Sequence, residues 1–146
     1  MNIKNPNPYG KLSVDRLEIF ERNIGVILPN SYRNFLLKFN GGKWKNNLFH
    51  ISDKYGDSTI HHVYGIHDGP DYSQLDYQIN WFKGRIVNWC LPIADDDGGN
   101  KLCIGIRGRH LGEMFFWDHE DGALILISDS FDDFVNKRWE SAIDGL

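Results

Sequence analysis

Apolar residues fall at helical spacing through the first forty positions and in short blocks after that. Ser13 suits the cap of a first helix, because its hydroxyl can accept a bond from an orphan first-turn N–H. Leu12 and Leu17 then stand at the spacing of a hydrophobic staple. Leu17, Phe20 and Ile24 continue the stripe, and Gly25 is placed to end the helix in a left-handed conformation. A second helix opens near Pro29, which suits the first helical position because its missing N–H is not needed there. Tyr32, Phe35, Leu36 and Phe39 form one apolar stripe, and Asn40-Gly41-Gly42 stops it.

The period changes after Gly42. Leu48-Phe49-His50-Ile51 and residues 60–66 read as short strands, with residues 53–58 as a turn-rich loop. A third helix fits residues 73–82, with Leu75, Ile79 and Phe82 on one face. Strand patterns follow at 90–94, 102–106, 114–117 and 123–127. Asp97-Gly98-Gly99, residues 108–112 and Asp121-Gly122 separate them, and such short loops imply antiparallel hairpins. The unbroken run from Ala123 to Ile127 predicts a strand buried on both faces. Ser130 can cap a last helix, with Asp133 returning the bond. Phe131, Phe134, Val135 and Arg138 share a face of that helix, with Trp139 nearby. Helices, then strands, then a helix predict an α+β fold. The expected architecture is a single domain whose mostly antiparallel or mixed sheet is flanked by N-terminal helices and a C-terminal helix. Residues 1–12 form an irregular lead-in.

Composition narrows the class. A chain of 146 residues with 41% hydrophobic and 25% charged residues can bury a core without disulfide or metal staples. No apolar run approaches the ~20 residues of a membrane span. Residues 1–10 show no apolar signal core. Cys90 and Cys103 lack metal-ligand or redox spacing. A reduced, cytoplasmic protein is the expectation. The net charge of −4 hides a split: residues 1–94 carry 11 Lys and Arg against 8 Asp and Glu, whereas residues 95–146 carry 5 against 12. The acidic third can attract a basic partner.

Chemistry-bearing motifs are sparse. No Gly-x-Ser-x-Gly elbow occurs, and both cysteines lie in apolar strand patterns, where a thiol is usually a small buried hydrophobe. His61, His62, His67 and Asp68 are close in sequence. Strand alternation sends His61 and His62 to opposite faces and leaves His61 and His67 ~20 Å apart, so no metal set is expected. Asp95-Asp96-Asp97-Gly98-Gly99-Asn100 fails the calcium-loop spacing, since Ile93 or Ala94 would occupy the first ligand position. It also lacks the Lys-Ser/Thr of a phosphate loop. It reads as a capped turn, or as a carboxylate cluster for a partner. His119, between Asp118 and Glu120, suits either a hairpin turn or a general base. Trp44 between Lys43 and Lys45, and the segment from Trp81 to Arg85, fit single-stranded nucleic acid only loosely, and no direct nucleic-acid binding is expected.

Four segments stand in a recognisable order. They are Ile19-Phe20-Glu21 with Gly25, Leu28-Pro29, Tyr32, Phe35-Leu36 and Asn40-Gly41-Gly42; Pro92-Ile93-Ala94-Asp95-Asp96 with Gly98-Gly99-Asn100; Phe116-Trp117-Asp118-His119; and Ser130-Phe131 with Phe134. In this the chain resembles the SUKH superfamily, in the Smi/Knr branch named for a fungal cell-wall regulator. The resemblance implies a compact α+β domain without shared catalytic residues or cofactor. For a chain without the long fungal extensions it implies a bacterial immunity protein that binds and neutralises a cognate toxin, often a nuclease. The acidic positions Asp95, Asp96, Asp97, Glu120 and Asp121 are the expected contacts for a basic toxin, with Trp44 and Trp81 as aromatic anchors. The alternatives are a regulatory or scaffold protein of the same fold, and a hydrolase centred on His119.

Overall fold

The computed structural model describes residues 3–45 and 47–144, with side chains up to Lys137. The first helix, α1 (Val14–Ile24), begins and ends where the local signals predict. The Ser13 hydroxyl accepts the Arg16 N–H, and Gly25 closes the helix at φ 76°. Leu17 and Phe20 are buried. The second helix, α2 (Asn30–Lys38), starts one residue later than expected: Pro29 has ψ 137° and serves as the cap, not the first helical residue. Glu21 fastens the two helices. Its buried carboxylate accepts the Leu28 N–H at 2.8 Å and Arg33 Nε at 3.1 Å.

The lead-in is not wholly irregular. Its strand β1 (Ile3–Lys4) pairs antiparallel with β2 (Lys43–Trp44), just past the end of α2. Beside this pair Asn40 is almost fully buried. Its Nδ2 donates to the Gly10 carbonyl at 3.0 Å and the Ile66 carbonyl at 2.7 Å, and its Oδ1 accepts the Ile66 N–H at 2.8 Å. The Asn40 N–H donates to Asn7 Oδ1 at 2.7 Å. One amide thus joins the lead-in, the end of α2 and the segment after the fourth strand. Gly65 is required for that approach, because a Cβ there would stand 2.8 Å from the Asn40 carbonyl carbon.

Six strands make the main sheet: β3 (Leu48–Ser52), β4 (Gly56–Val63), β5 (Cys90–Asp96), β6 (Lys101–Gly105), β7 (Met114–Trp117) and β8 (Leu124–Ser128). They lie in sequence order, and every strand pairing among the described residues is antiparallel. The loop expected at 53–58 contracts to a turn at 53–55, because Gly56 to Ser58 pair with β3. Beyond Val63 the chain leaves the sheet toward the 3-10 turn Asp71–Ser73 and α3 (Leu75–Trp81), a shorter helix than the expected 73–82. Gly65 N–H donates to the Ser73 carbonyl, and Leu75 N–H to the Gly65 carbonyl, which sets where α3 begins.

Alternation sorts the sheet's two faces. Ile93, Leu102, Ile104 and Phe116 face α1, α2 and the last helix, α4 (Phe131–Asp144), in the main core. Phe35, Phe131, Trp44 and Phe134 supply its aromatic centre, with Phe35 5.2 Å from Phe131 and 5.8 Å from Trp44. Cys90, Cys103, Phe115 and Trp117 form a smaller cluster with Ile86 on the other face. Both thiols are free and buried there, and burial, with the Cys90 contact, pushes the Cys103 thiol well up.

The strand expected to be buried on both faces is not. β8 is an edge strand; Ile125 and Ile127 pack on the main core, while Leu126 stays 49% exposed. The last cap also differs. Ser130 Oγ accepts the Asp133 N–H at 3.0 Å as predicted, but the Asp133 carboxylate accepts from Ser128 Oγ at 2.6 Å. The side chains of Arg138 and Trp139 lie outside the described residues.

Asn40→Ala strands three buried backbone partners, so we expect a loss of about 3 kcal/mol in urea denaturation. Asp133 is held below the ordinary carboxylate range, first by the Ser128 hydroxyl and then by Lys137. Its contribution is therefore complete above the unfolded carboxylate pKa and is lost as pH falls through the lower folded value. Ser128→Ala should move the Asp133 titration upward in an NMR pH series.

Candidate functional site

The β5–β6 and β7–β8 hairpins turn at the same end of the sheet, and Asn100 ties them together. Its Oδ1 accepts the His119 N–H at 3.0 Å and His119 Nδ1 at 2.6 Å. An amide oxygen only accepts, so Nδ1 carries the proton. The β3–β4 turn reaches the same end, held by Ser58 Oγ donating to Asp96 Oδ2 at 2.8 Å and Thr59 Oγ1 donating to Asp97 Oδ2. Three hairpin tips therefore form one rim. Asp53, Asp57, Asp97, Glu120 and Asp121 are all exposed on it. Asp53 and Asp57 escaped the sequence reading because they lie some forty residues before the acidic third. The hairpin register that brings them in was visible only as a turn.

The three consecutive aspartates have different fates. Asp96 is buried at 6% exposure, where its carboxylate accepts Gly98 N–H, Asn100 N–H, Asn100 Nδ2 and Ser58 Oγ. It builds the turn and presents nothing outward. Asp97 faces solvent beside His61. Asp95 is mostly covered: it accepts His62 N–H at 3.0 Å and Tyr64 Oη at 2.8 Å. Behind it lies a buried cation. Lys101 Nζ donates to Tyr64 Oη at 2.7 Å and to Gln78 Oε1 at 3.2 Å, and sits 4.5 Å from the centre of the Phe82 ring. Burial lowers the Lys101 pKa against the pull of Asp95, and burial raises that of Tyr64.

The tryptophans also separate. Trp44 is buried in the aromatic centre, so its ring is core and not a surface anchor in this conformation. Trp81 is 63% exposed and stacks on Tyr77 at 5.9 Å and 11°. Of the seven expected contacts, Asp97, Glu120, Asp121 and Trp81 are exposed, Asp95 is partly so, and Asp96 and Trp44 are turned inward.

The histidines depart from strand alternation. β4 carries a bulge against β5: Ile60 pairs with Asp96 and His62 with Asp95, leaving His61 as the extra residue. The bulge turns His61 and His62 to the same side, with ring centroids 3.9 Å apart. One ring nitrogen from each and an Asp95 oxygen lie within 4.8 Å of one another. His67 stands apart, buried against Tyr9, with Nε2 on the Ser73 carbonyl and Nδ1 accepting the Gly69 N–H. Burial lowers its pKa and that of His62. The hydrolase reading needed His119 on a carboxylate. His119 instead faces solvent and pairs with an amide, which lacks the charge that orients a catalytic imidazole.

No helix of the described residues is long and apolar enough to cross a membrane. The model of the SMI1 / KNR4 family (SUKH-1) matches residues 11–137. An SPbeta prophage-derived uncharacterized protein, YokK, of Bacillus subtilis (strain 168), is 30% identical over 151 aligned positions, covering 89% of this chain and 76% of the relative.

Neighbouring aspartates should behave oppositely. Asp96→Ala removes four hydrogen bonds to a buried carboxylate and should cost about 3 kcal/mol in chemical denaturation. Asp97→Ala removes one bond, from Thr59 Oγ1 at the exposed tip, and should cost about 1 kcal/mol or less.

Proposed function

The chain belongs to the SMI1 / KNR4 family (SUKH-1), and from that premise we propose that it is an immunity protein, which binds a cognate toxin domain stoichiometrically and blocks it. In this reading the work is done in the cytoplasm by surface complementarity, without a reaction of its own. The observation that carries the reading is the rim of three hairpin tips with Asp53, Asp57, Asp97, Glu120 and Asp121 in solvent. Carboxylates gathered on one rim attract a basic surface and accelerate its docking. Toxins that act on nucleic acid carry such surfaces, because their substrate is a polyanion. Exposed Trp81, stacked on Tyr77, is the aromatic anchor that remains available.

The division of labour in the turn supports the same reading. Asp96 and Asn100 hold the turn from within, while the exposed Asp97 and Asp121 each accept one bond, from Thr59 Oγ1 and the Ala123 N–H, and keep the rest of the carboxylate in solvent. A general regulatory role would need no such excess of negative charge at one end of the sheet, where five exposed carboxylates outweigh Lys54.

Co-expression with the product of the adjacent gene tests the reading, with growth rescue and a stable complex as the expected results. In stopped-flow binding, the triple variant Asp97→Lys, Glu120→Lys, Asp121→Lys should associate about tenfold or more slowly at low salt. Its rate should also lose most of its salt dependence. Rescue with unchanged association rates would move the interface away from this rim. Absence of both rescue and complex would remove the immunity reading for that gene pair.

A further inference from the structure

We infer that His61, His62 and Asp95 form a site for a divalent transition-metal ion of the zinc class. The motif is invisible in a regular strand, where consecutive side chains diverge. The β4 bulge is what makes it, by turning two consecutive imidazoles to one side, opposite the carboxylate of the neighbouring strand. Two imidazoles and one carboxylate match the ligand preferences of zinc, with three protein donors and an open fourth position for water.

The distances fit. Ligand atoms ~2.1 Å from one ion stand ~3–3.5 Å from each other. His62 Nδ1 and Asp95 Oδ1 are already 3.1 Å apart. The ion would take the place of the hydrogen shared between them, and that proton would leave to solvent. His61 is half exposed, and all three donor atoms lie within 4.8 Å, so a small swing of its ring closes the set.

Asp95 is also held as a metal-bound carboxylate usually is. Tyr64 Oη donates to its second oxygen at 2.8 Å, and Lys101 lies 3.9 Å behind that oxygen. These partners fix the carboxylate from the rear and leave its first oxygen facing His62. Lys101 and Lys43 add positive charge to the surroundings. Asp97, 4.0 Å from His61 Nδ1, adds a second negative charge on the open side and can receive a bond from the bound water.

The experiment is a titration of the tag-free full chain with Zn2+ in a calorimeter and with Co2+ by visible absorption. One ion per chain is expected, with Co2+ giving the absorption bands of a low-coordinate nitrogen–oxygen site and Zn2+ displacing it. His61→Ala, at an exposed ring, and His62→Gln should each weaken binding roughly tenfold or more, since losing even a group that supports a metal ligand costs about that much. His119→Ala, on the same rim, should leave it unchanged. Thermal melts without metal should show His61→Ala folded like the parent. Equal binding by the parent and by folded His61→Ala, or no uptake at millimolar Zn2+, overturns the site. Neither result bears on toxin binding, which is measured in metal-free buffer with chelator.

Discussion

The amide of Asn40 is the constraint on which the arrangement rests. It is buried, and it closes hydrogen bonds with residues 10 and 66 that only this side chain, with its paired donor and acceptor, can satisfy at once. From Ile66 the order passes through Gly65 to Ser73 and Leu75, which fix the start of α3. From α3 it passes through Gln78 to Lys101 and so to Tyr64 and Asp95. A continuous polar path thus runs from the helical half to a carboxylate on the sheet. The chain of contacts is polar throughout, and its buried members leave few alternative packings, since each unmade bond carries a full desolvation cost.

Lys101 shows the same logic on the second face of the sheet. A buried ammonium adds little net stability once its desolvation is counted. It is nevertheless fully engaged: phenol, amide and carboxylate oxygens surround it, and the Phe82 ring lies under it. Its consequence is specificity. The register of β6 against β5 and β7 cannot slip by one residue without moving this charge into the apolar main core.

The parts of this fold written in local chemistry could be read from the chain. Ser13 and Gly25 bound α1, the glycine-rich turns bound the hairpins, and the α+β class follows from their order. What escaped reading depends on partners distant in sequence. The β4 bulge is set by pairing with β5, so His61 and His62 looked divergent. Trp44 between two lysines suits a surface anchor or the core equally, and the pairing of β2 with β1 turns it inward onto Phe35. Ala123 to Ile127 looked doubly buried, yet β8 is last in strand order and Leu126 stays half exposed. The acidic rim was half legible. The charge of the last third was plain from the chain, but which carboxylates reach solvent was decided by hydrogen bonds across turns, as the contrast of Asp96 and Asp97 shows.

That contrast has an evolutionary meaning. Turn-building groups and solvent-facing groups alternate within the same few residues, so the rim can change its chemistry by point substitution while its backbone stays put. Exchanging Glu120 would change the charge of the rim at little cost in folding, whereas Asp97 and Asp121 also accept bonds from Thr59 and Ala123. Lengthened hairpin tips would extend the same freedom, because insertions at exposed tips leave the strands beneath them paired. The sheet is in this sense a reusable mount, and changes of charge at its rim need not wait for compensating changes in the core.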